Sequence, residues 1–226
     1  MKIKKIDHAC FIIQLNGKRI VTDPFSANIE AAIANNPDLL YPDYILVSHG
    51  HNDHIDGLTK IIGENTIVIS NFEICNFLSK KEIQCIDMNM GGELLLGNIT
   101  IAMVPAIHSS SIDDDGNVIY AGLACGYVVK FLKNTLYFAG DTDLFYDMKL
   151  IDKLYSPNIG LIPIGGRFTM NIEKACLACN EFLNLAVVIP IHYDTFPPIT
   201  VNINEFVNGV QTTKVQILKN GESIEL

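Results

Sequence analysis

The chain has 226 residues, 49% of them hydrophobic and 18% charged, which is apolar material enough for one large-cored domain spanning 1–226. Its 16 basic and 25 acidic residues leave a formal charge of −9, with no basic cluster beyond Lys2, Lys4 and Lys5, so a nucleic-acid partner is disfavoured. No apolar run reaches the ~18–20 residues that span a bilayer, and Asp7-His8 breaks the one N-terminal segment that could serve as a secretion signal.

Segments 3–6, 9–15 and 18–22 read as strands, the last two joined by Asn16-Gly17, a strong two-residue hairpin signal. Asp23-Pro24 ends the third strand and opens an irregular segment. Tyr44-Ile45-Leu46-Val47 is an unbroken apolar run of the kind buried on both faces of a sheet, and 55–62 begins a helix. Segment 66–69 repeats the buried-strand pattern, with a helix near 72–80. Segments 93–96 and 99–104 flank Gly97-Asn98 as a second hairpin, and 126–132 and 135–139 flank Lys133-Asn134 as a third.

Beyond residue 140 helix and strand alternate. Segment 144–155 is helical, 159–163 a strand, and Asn171 caps a helix through Leu183, with Glu173 placed to complement its dipole. A strand at 186–189, a short helix at 204–209 and a strand at 214–218 follow. No repeat is visible residue by residue. Hairpins first and alternating units afterwards imply two mixed sheets with helices outside them. The cysteines at 10, 75, 85, 125, 176 and 179 are scattered in apolar context, which fits the reduced thiols of a cytoplasmic protein.

The chemistry concentrates in Ser48-His49-Gly50-His51-Asn52-Asp53-His54, closed by Gly57 at the end of a buried strand. Imidazoles and a carboxylate suit zinc and similar divalent ions, and alternate spacing lets His49 and His51 converge on one of them. Asp53 and His54 point elsewhere, toward a second ion. His108, Asp141 and His192 each end another apolar strand. Any one of them alone reads as a structural residue; together with the first cluster they complete seven donors, three per ion and one shared carboxylate. His8 is left over, as a ligand support, a substrate-facing residue or a structural one, and Asp23 can orient a ligand imidazole. Cys176 and Cys179 match a C-x-x-C spacing, but no second pair exists and both fall on the apolar face of a helix, so they read as core. Gly165-Gly166-Arg167-Phe168 is a tight turn without a phosphate loop's lysine, and Arg167 meets either an anionic substrate or surface acids.

These residues resemble the metallo-β-lactamase superfamily, whose H-x-H-x-D-H loop stands at 49–54. Cys10-Phe11 after His8, Asp23-Pro24-Phe25, Met148-Lys149-Leu150, the stretch from Pro163 to Met170 and the stretch from Ile189 to Pro197 are similar to one branch, metal-dependent hydrolases related to ascorbate-phosphate lactonases. The resemblance covers essentially the whole chain. It implies an α+β fold, an αββα sandwich, with His49, His51 and His108 on one ion, Asp53, His54 and His192 on another, and Asp141 bridging. Thr195, inside the last motif, becomes a substrate-side candidate. Asp7 and Asp194 stand where glycine and asparagine are common, adding negative charge that disfavours a strongly anionic substrate.

Two divalent ions, zinc first and manganese or iron as alternatives, supply a water nucleophile at neutral pH, which Asp53 orients. The expected activity is hydrolysis of an ester, lactone or amide of a small molecule. The alternatives are a phosphodiesterase or nuclease, a metal-binding protein without turnover, and an oxidoreductase. The apolar content permits a homo-oligomer without locating an interface.

Overall fold

Strand β1 (Lys2–Asp7) turns through His8-Ala9 into β2 (Cys10–Leu15), and Asn16-Gly17 turns β2 into β3 (Lys18–Thr22) in the computed structural model, which describes residues 1–226. Asn16 and Gly17 both take left-handed backbone, at φ 50° and 72°, as a tight hairpin turn requires. Helix α1 (Ile29–Asn35) leads to β4 (Tyr44–Leu46). Two short helices, α2 (Asn52–Ile55) and α3 (Leu58–Ile61), precede β5 (Ile67–Asn71), and α4 (Phe72–Ser79) precedes β6 (Cys85–Met88). Next come β7 (Glu93–Leu96), β8 (Ile99–Pro105), a separate hairpin of β9 (Ser111–Asp114) and β10 (Asn117–Tyr120), and then β11 (Cys125–Phe131) and β12 (Asn134–Phe138). The chain ends on α5 (Met148–Tyr155), β13 (Ile159–Pro163), α6 (Ile172–Leu177), β14 (Val187–Ile191), α7 (Ile203–Gly209), β15 (Lys214–Val215) and β16 (Ser223–Glu225).

Two compact units result. The first comprises Met1–Asn89, Ser109–Ala124 and Leu218–Leu226; the second comprises Met90–His108 and Cys125–Ile217. The first holds a seven-stranded sheet ordered β16-β1-β2-β3-β4-β5-β6, antiparallel up to β3 and parallel beyond it. The second holds a seven-stranded sheet ordered β7-β8-β11-β12-β13-β14-β15, antiparallel up to β12 and parallel beyond it. From β1 to β6 and from β8 to β15 the two strand orders and directions are the same, each parallel crossover carries helix, and only the edge strand differs in origin, β16 coming from the end of the chain and β7 directly preceding β8. In this correspondence β1 matches β8, β3 matches β12, and the β9–β10 hairpin is an insertion. The residues alone show no such repeat, because a sheet's hydrophobic pattern tolerates wide substitution at constant volume.

Each sheet has its own core. Ile6, Ile12, Val21, Ile45 and Val68 pack with Leu58, Ile61 and Ile74 in the first unit. In the second, Val104, Val128, Ile162 and Val188 pack with Met148, Ile151, Ala175 and Phe206. Strands β13 and β14 are buried at every residue, which is why they read as continuous apolar runs instead of alternating ones. Pro190 is tolerated inside β14 because β15 pairs only with Val187 and Val188, leaving Pro190 without a ladder partner on that side. No helix is long and apolar enough to cross a membrane.

Several expected elements are corrected. The segment after Asp23 is not irregular throughout: Asn28 accepts from the Ala31 N–H and caps α1. The helix expected over 55–62 is broken between α2 and α3, where Gly57 N–H donates to Pro24 O at 2.8 Å and a Cβ on Gly57 would collide with that oxygen. The third hairpin turns at Leu132-Lys133, with Phe131 opposite Asn134, so Asn134 belongs to the strand. The helix expected from 144 begins at Met148. The one capped by Asn171 ends as α6 at Leu177 and continues to Phe182 as a wider turn. The strand expected over 214–218 stops at Val215 and is not the last, since β16 follows it.

Candidate metal centre

In the first unit the donors gather at the carboxyl ends of β1, β3 and β4. The His49 Nε2 and His51 Nδ1 atoms face each other at 3.0 Å. Behind them Asp23, fully buried, accepts Ser48 N–H at 2.7 Å, the Ser48 hydroxyl at 2.6 Å and His54 Nδ1–H at 2.6 Å. Because the Ser48 hydroxyl donates to Asp23, it accepts from His49 Nδ1 at 2.9 Å. Both imidazoles therefore spend Nδ1–H on the protein and turn Nε2 outward with its lone pair, the arrangement of a ligating histidine whose tautomer is set from behind. Burial pushes the Asp23 carboxyl above the usual range, against the pull of His54 and Ser48. The donor atoms of Asp23, His49 and His54 all lie within 4.8 Å of one another.

His8 and Asp53 complete this set. His8 Nε2 lies 3.5 Å and His54 Nε2 3.9 Å from Asp53 Oδ2; both rings are fully buried while the Asp53 side chain is 29% exposed. The His8 ring meets His54 and Phe25 edge-on. Gly50 separates the first two histidines because the β9–β10 hairpin comes close: a Cβ there would fall 2.7 Å from Ile112 and 2.9 Å from Ala121. Ser110 fastens the hairpin by accepting Gly50 N–H at 3.2 Å and donating to Ala121 O at 2.9 Å, and Ser109 Oγ stands 3.5 Å from His51 Nε2.

In the second unit Asp141 is the hub. Its Oδ2 lies 2.9 Å from His192 Nε2 and 3.7 Å from His108 Nε2, and the carboxyl and the His192 ring are buried. Thr142 ties the two loops together, its Oγ1 accepting Ile107 N–H at 2.9 Å while its carbonyl accepts Met170 N–H at 3.0 Å. Gly165 is required where it stands, since a Cβ would run into His192 O.

Backbone strain marks the same positions. His8, Asp23 and His192, each just past a strand end, take φ of 45°, 31° and 54°, a region that costs ~1–3 kcal/mol for residues other than glycine.

The sequence-based candidates sort accordingly. His49, His51, Asp53 and His54 come together in the first unit with Asp23 and His8, and His108, Asp141 and His192 come together in the second. Arg167 is exposed and lies over the Phe168 ring at 5.5 Å. Thr195 is half-buried, its hydroxyl 3.4 Å from Tyr193 O. Ser48, Ser110 and Thr142 were not anticipated; their only sequence signal is adjacency to a donor or its loop. The donor chemistry fits a divalent cation: neutral imidazole nitrogens and carboxylates, buried at a depth where unneutralised acids are costly.

The model of the β-lactamase superfamily domain matches residues 2–192. A UPF0173 metal-dependent hydrolase of Carboxydothermus hydrogenoformans is 40% identical over all of both chains. One of Methanopyrus kandleri is 39% identical, again over all of both chains. Among solved structures, Igni18, a metallo hydrolase of Ignicoccus hospitalis, superposes with a TM-score of 0.85 at 34% identity, covering 99% of this chain and 97% of that one. The two seven-stranded mixed sheets, the strand-end donors and these relatives lead to one conclusion: the chain belongs to the metallo-β-lactamase superfamily and is a metal-dependent hydrolase.

Proposed function

We propose that the enzyme hydrolyses an ester, lactone or amide of a small molecule at a dinuclear centre. His49, His51 and His108 would hold one ion and Asp53, His54 and His192 the other, with Asp141 shared. The observation that carries this reading is the use of Nδ1 by His49 and His54. Ser48 and Asp23 accept hydrogen bonds from those Nδ1–H groups and leave the Nε2 lone pairs for a cation. Divalent ions in such a site supply an activated water and polarise the oxygen under attack. Zinc suits the nitrogen-rich set best, and manganese or iron remain within its chemistry.

The chain's own residues do the rest. Asp23 holds His54 in one orientation, and Asp53, partly exposed beside it, orients the water nucleophile. The hairpin fastened at Ser110 carries Val118 and Tyr120, with Leu123 just after it, all largely exposed, and offers an apolar edge next to the His51 loop. That edge and the charge of −9 favour a substrate with an apolar acyl or ring portion over a polyanion. We propose a cytoplasmic site of action on the strength of six free cysteines.

The test is a panel of a lactone, an aryl ester and a bis-aryl phosphate, with Asp141→Ala and His108→Ala beside the wild type. Acyl cleavage in the wild type, reduced at least a hundredfold in both variants, supports the reading. Cleavage of the phosphodiester alone would replace it with a phosphodiesterase.

A further inference from the structure

We propose that His8 is a further metal ligand, adding its Nε2 to the ion held by Asp53 and His54. This rests on the dinuclear reading above and extends it to the one histidine that reading leaves out.

Three observations carry it. The first is distance. Neighbouring donors at about 2.0–2.2 Å from one divalent ion stand roughly 3–3.6 Å apart. The 3.5 Å from His8 Nε2 to Asp53 Oδ2 matches that separation, while a charge-assisted hydrogen bond would close to about 2.7–2.9 Å. The donor atoms of His8, Asp53 and His54 also lie within 4.8 Å of one another. His54 is already turned with Nε2 toward this point by its Nδ1 bond to Asp23 at 2.6 Å. The three atoms thus frame a single position.

The second is strain. His8 opens the two-residue turn between β1 and β2, with Asp7 opposite Cys10, and takes φ 45°, where glycine is the easy choice. The conformation is held in place: Asp7 Oδ1 accepts His8 N–H at 2.9 Å, and Asp7 itself is gripped by Ser26 Oγ at 3.0 Å and Asn220 Nδ2 at 3.1 Å. A left-handed histidine fixed in this way, with its ring buried, is a built feature that also occurs at His192.

The third is topology. His8 directly follows β1, and β1 corresponds to β8 in the repeated strand order, the strand that His108 follows. Asp23 after β3 corresponds in the same way to Asp141 after β12. The first unit therefore carries its own histidine and aspartate at the strand ends where the second carries His108 and Asp141.

The chain's histidine count makes the test direct. It has six histidines, and the seven-donor set uses all but His8. Protein labelled with 15N-histidine, stripped of metal and titrated with zinc, reports each imidazole whose nitrogen becomes ligated through a large 15N shift. The proposal requires all six to shift. Five shifted, with the sixth unmoved, would overturn it while leaving the dinuclear reading intact; fewer than five would overturn both. A second measurement uses His8→Asn, since asparagine tolerates left-handed backbone but is too short to ligate. Competition with a chelator should show one of the two zinc sites loosened at least tenfold and the other unchanged. Two sites both as tight as in the wild type, in a folded variant, contradict the proposal.

Discussion

At the residue scale, Asp23 is the structural key to the donor set of the first unit. It accepts three hydrogen bonds, from Ser48 N–H, the Ser48 hydroxyl and His54 Nδ1–H. Asp23→Ala would strand these buried donors, and we expect a loss of roughly 2–4 kcal/mol in stability by denaturant titration. Metal affinity should fall about 10–100-fold, as it does when a ligand's supporting partner is removed. A variant as stable and as metal-tight as the wild type would refute that role. Asp43 offers a pH test remote from the site. Burial raises its carboxyl pKa, but Lys18 at 2.8 Å and Arg19 N–H at 2.9 Å outweigh it, and the net shift is downward. A carboxyl with a lowered folded-state pKa adds stability at neutral pH that disappears as pH falls below about 4. Asp43→Asn should therefore cost stability at pH 7 and lose less than the wild type on acidification. The two proteins' stability curves converging toward low pH would bear this out, and parallel curves would contradict it.

At the element scale, the donors are aimed by tight loops that only glycine can complete. A Cβ on Gly165 collides with His192 O, and one on Gly57 collides with Pro24 O. Gly165→Ala should displace His192, so that metal affinity falls more than stability does. Gly57→Ala, between α2 and α3, should destabilise by about 1–3 kcal/mol, the usual cost of overpacking. If both variants matched the wild type in metal affinity and thermal stability, the loops would be looser than their geometry requires. What the sequence could announce at this scale depended on the strength of local signals. Asn16-Gly17 sits between two apolar strands and was legible. Asp115-Gly116 makes the same kind of turn, at φ 54° and 83°, yet it lies in an acidic run between the half-exposed β9 and the fully exposed β10, with no hydrophobic alternation to flag it. Helix α1 buries no residue completely, so its apolar pattern was weak. The histidines were legible for the opposite reason: buried apolar strands ending in ligand-type residues are conspicuous, whereas Ser48 and Thr142 look like any loop hydroxyl.

At the scale of the whole molecule, two units that share a six-strand order, β1 to β6 and β8 to β15, each carry donors just past strand ends. The repeat was hidden from the sequence because topology rests on hydrophobic pattern, and only the chemistry-bearing positions keep recognisable residues. The fold class was thus readable in advance, and so were the positions of the donor-type side chains at strand ends. The strain at His8, Asp23 and His192 was not, since left-handed backbone at a non-glycine residue has no sequence signature. The measurement that bears most directly on the account is metal dependence itself. Protein purified without chelator would be analysed for metal per chain, stripped, assayed for hydrolysis of a lactone and an aryl ester, and reloaded. A dinuclear centre, as proposed, predicts close to two divalent ions per chain, hydrolysis abolished by stripping, and hydrolysis restored as the second equivalent is added. Hydrolysis that survives complete removal of metal, or a protein that takes up less than one ion, would contradict it.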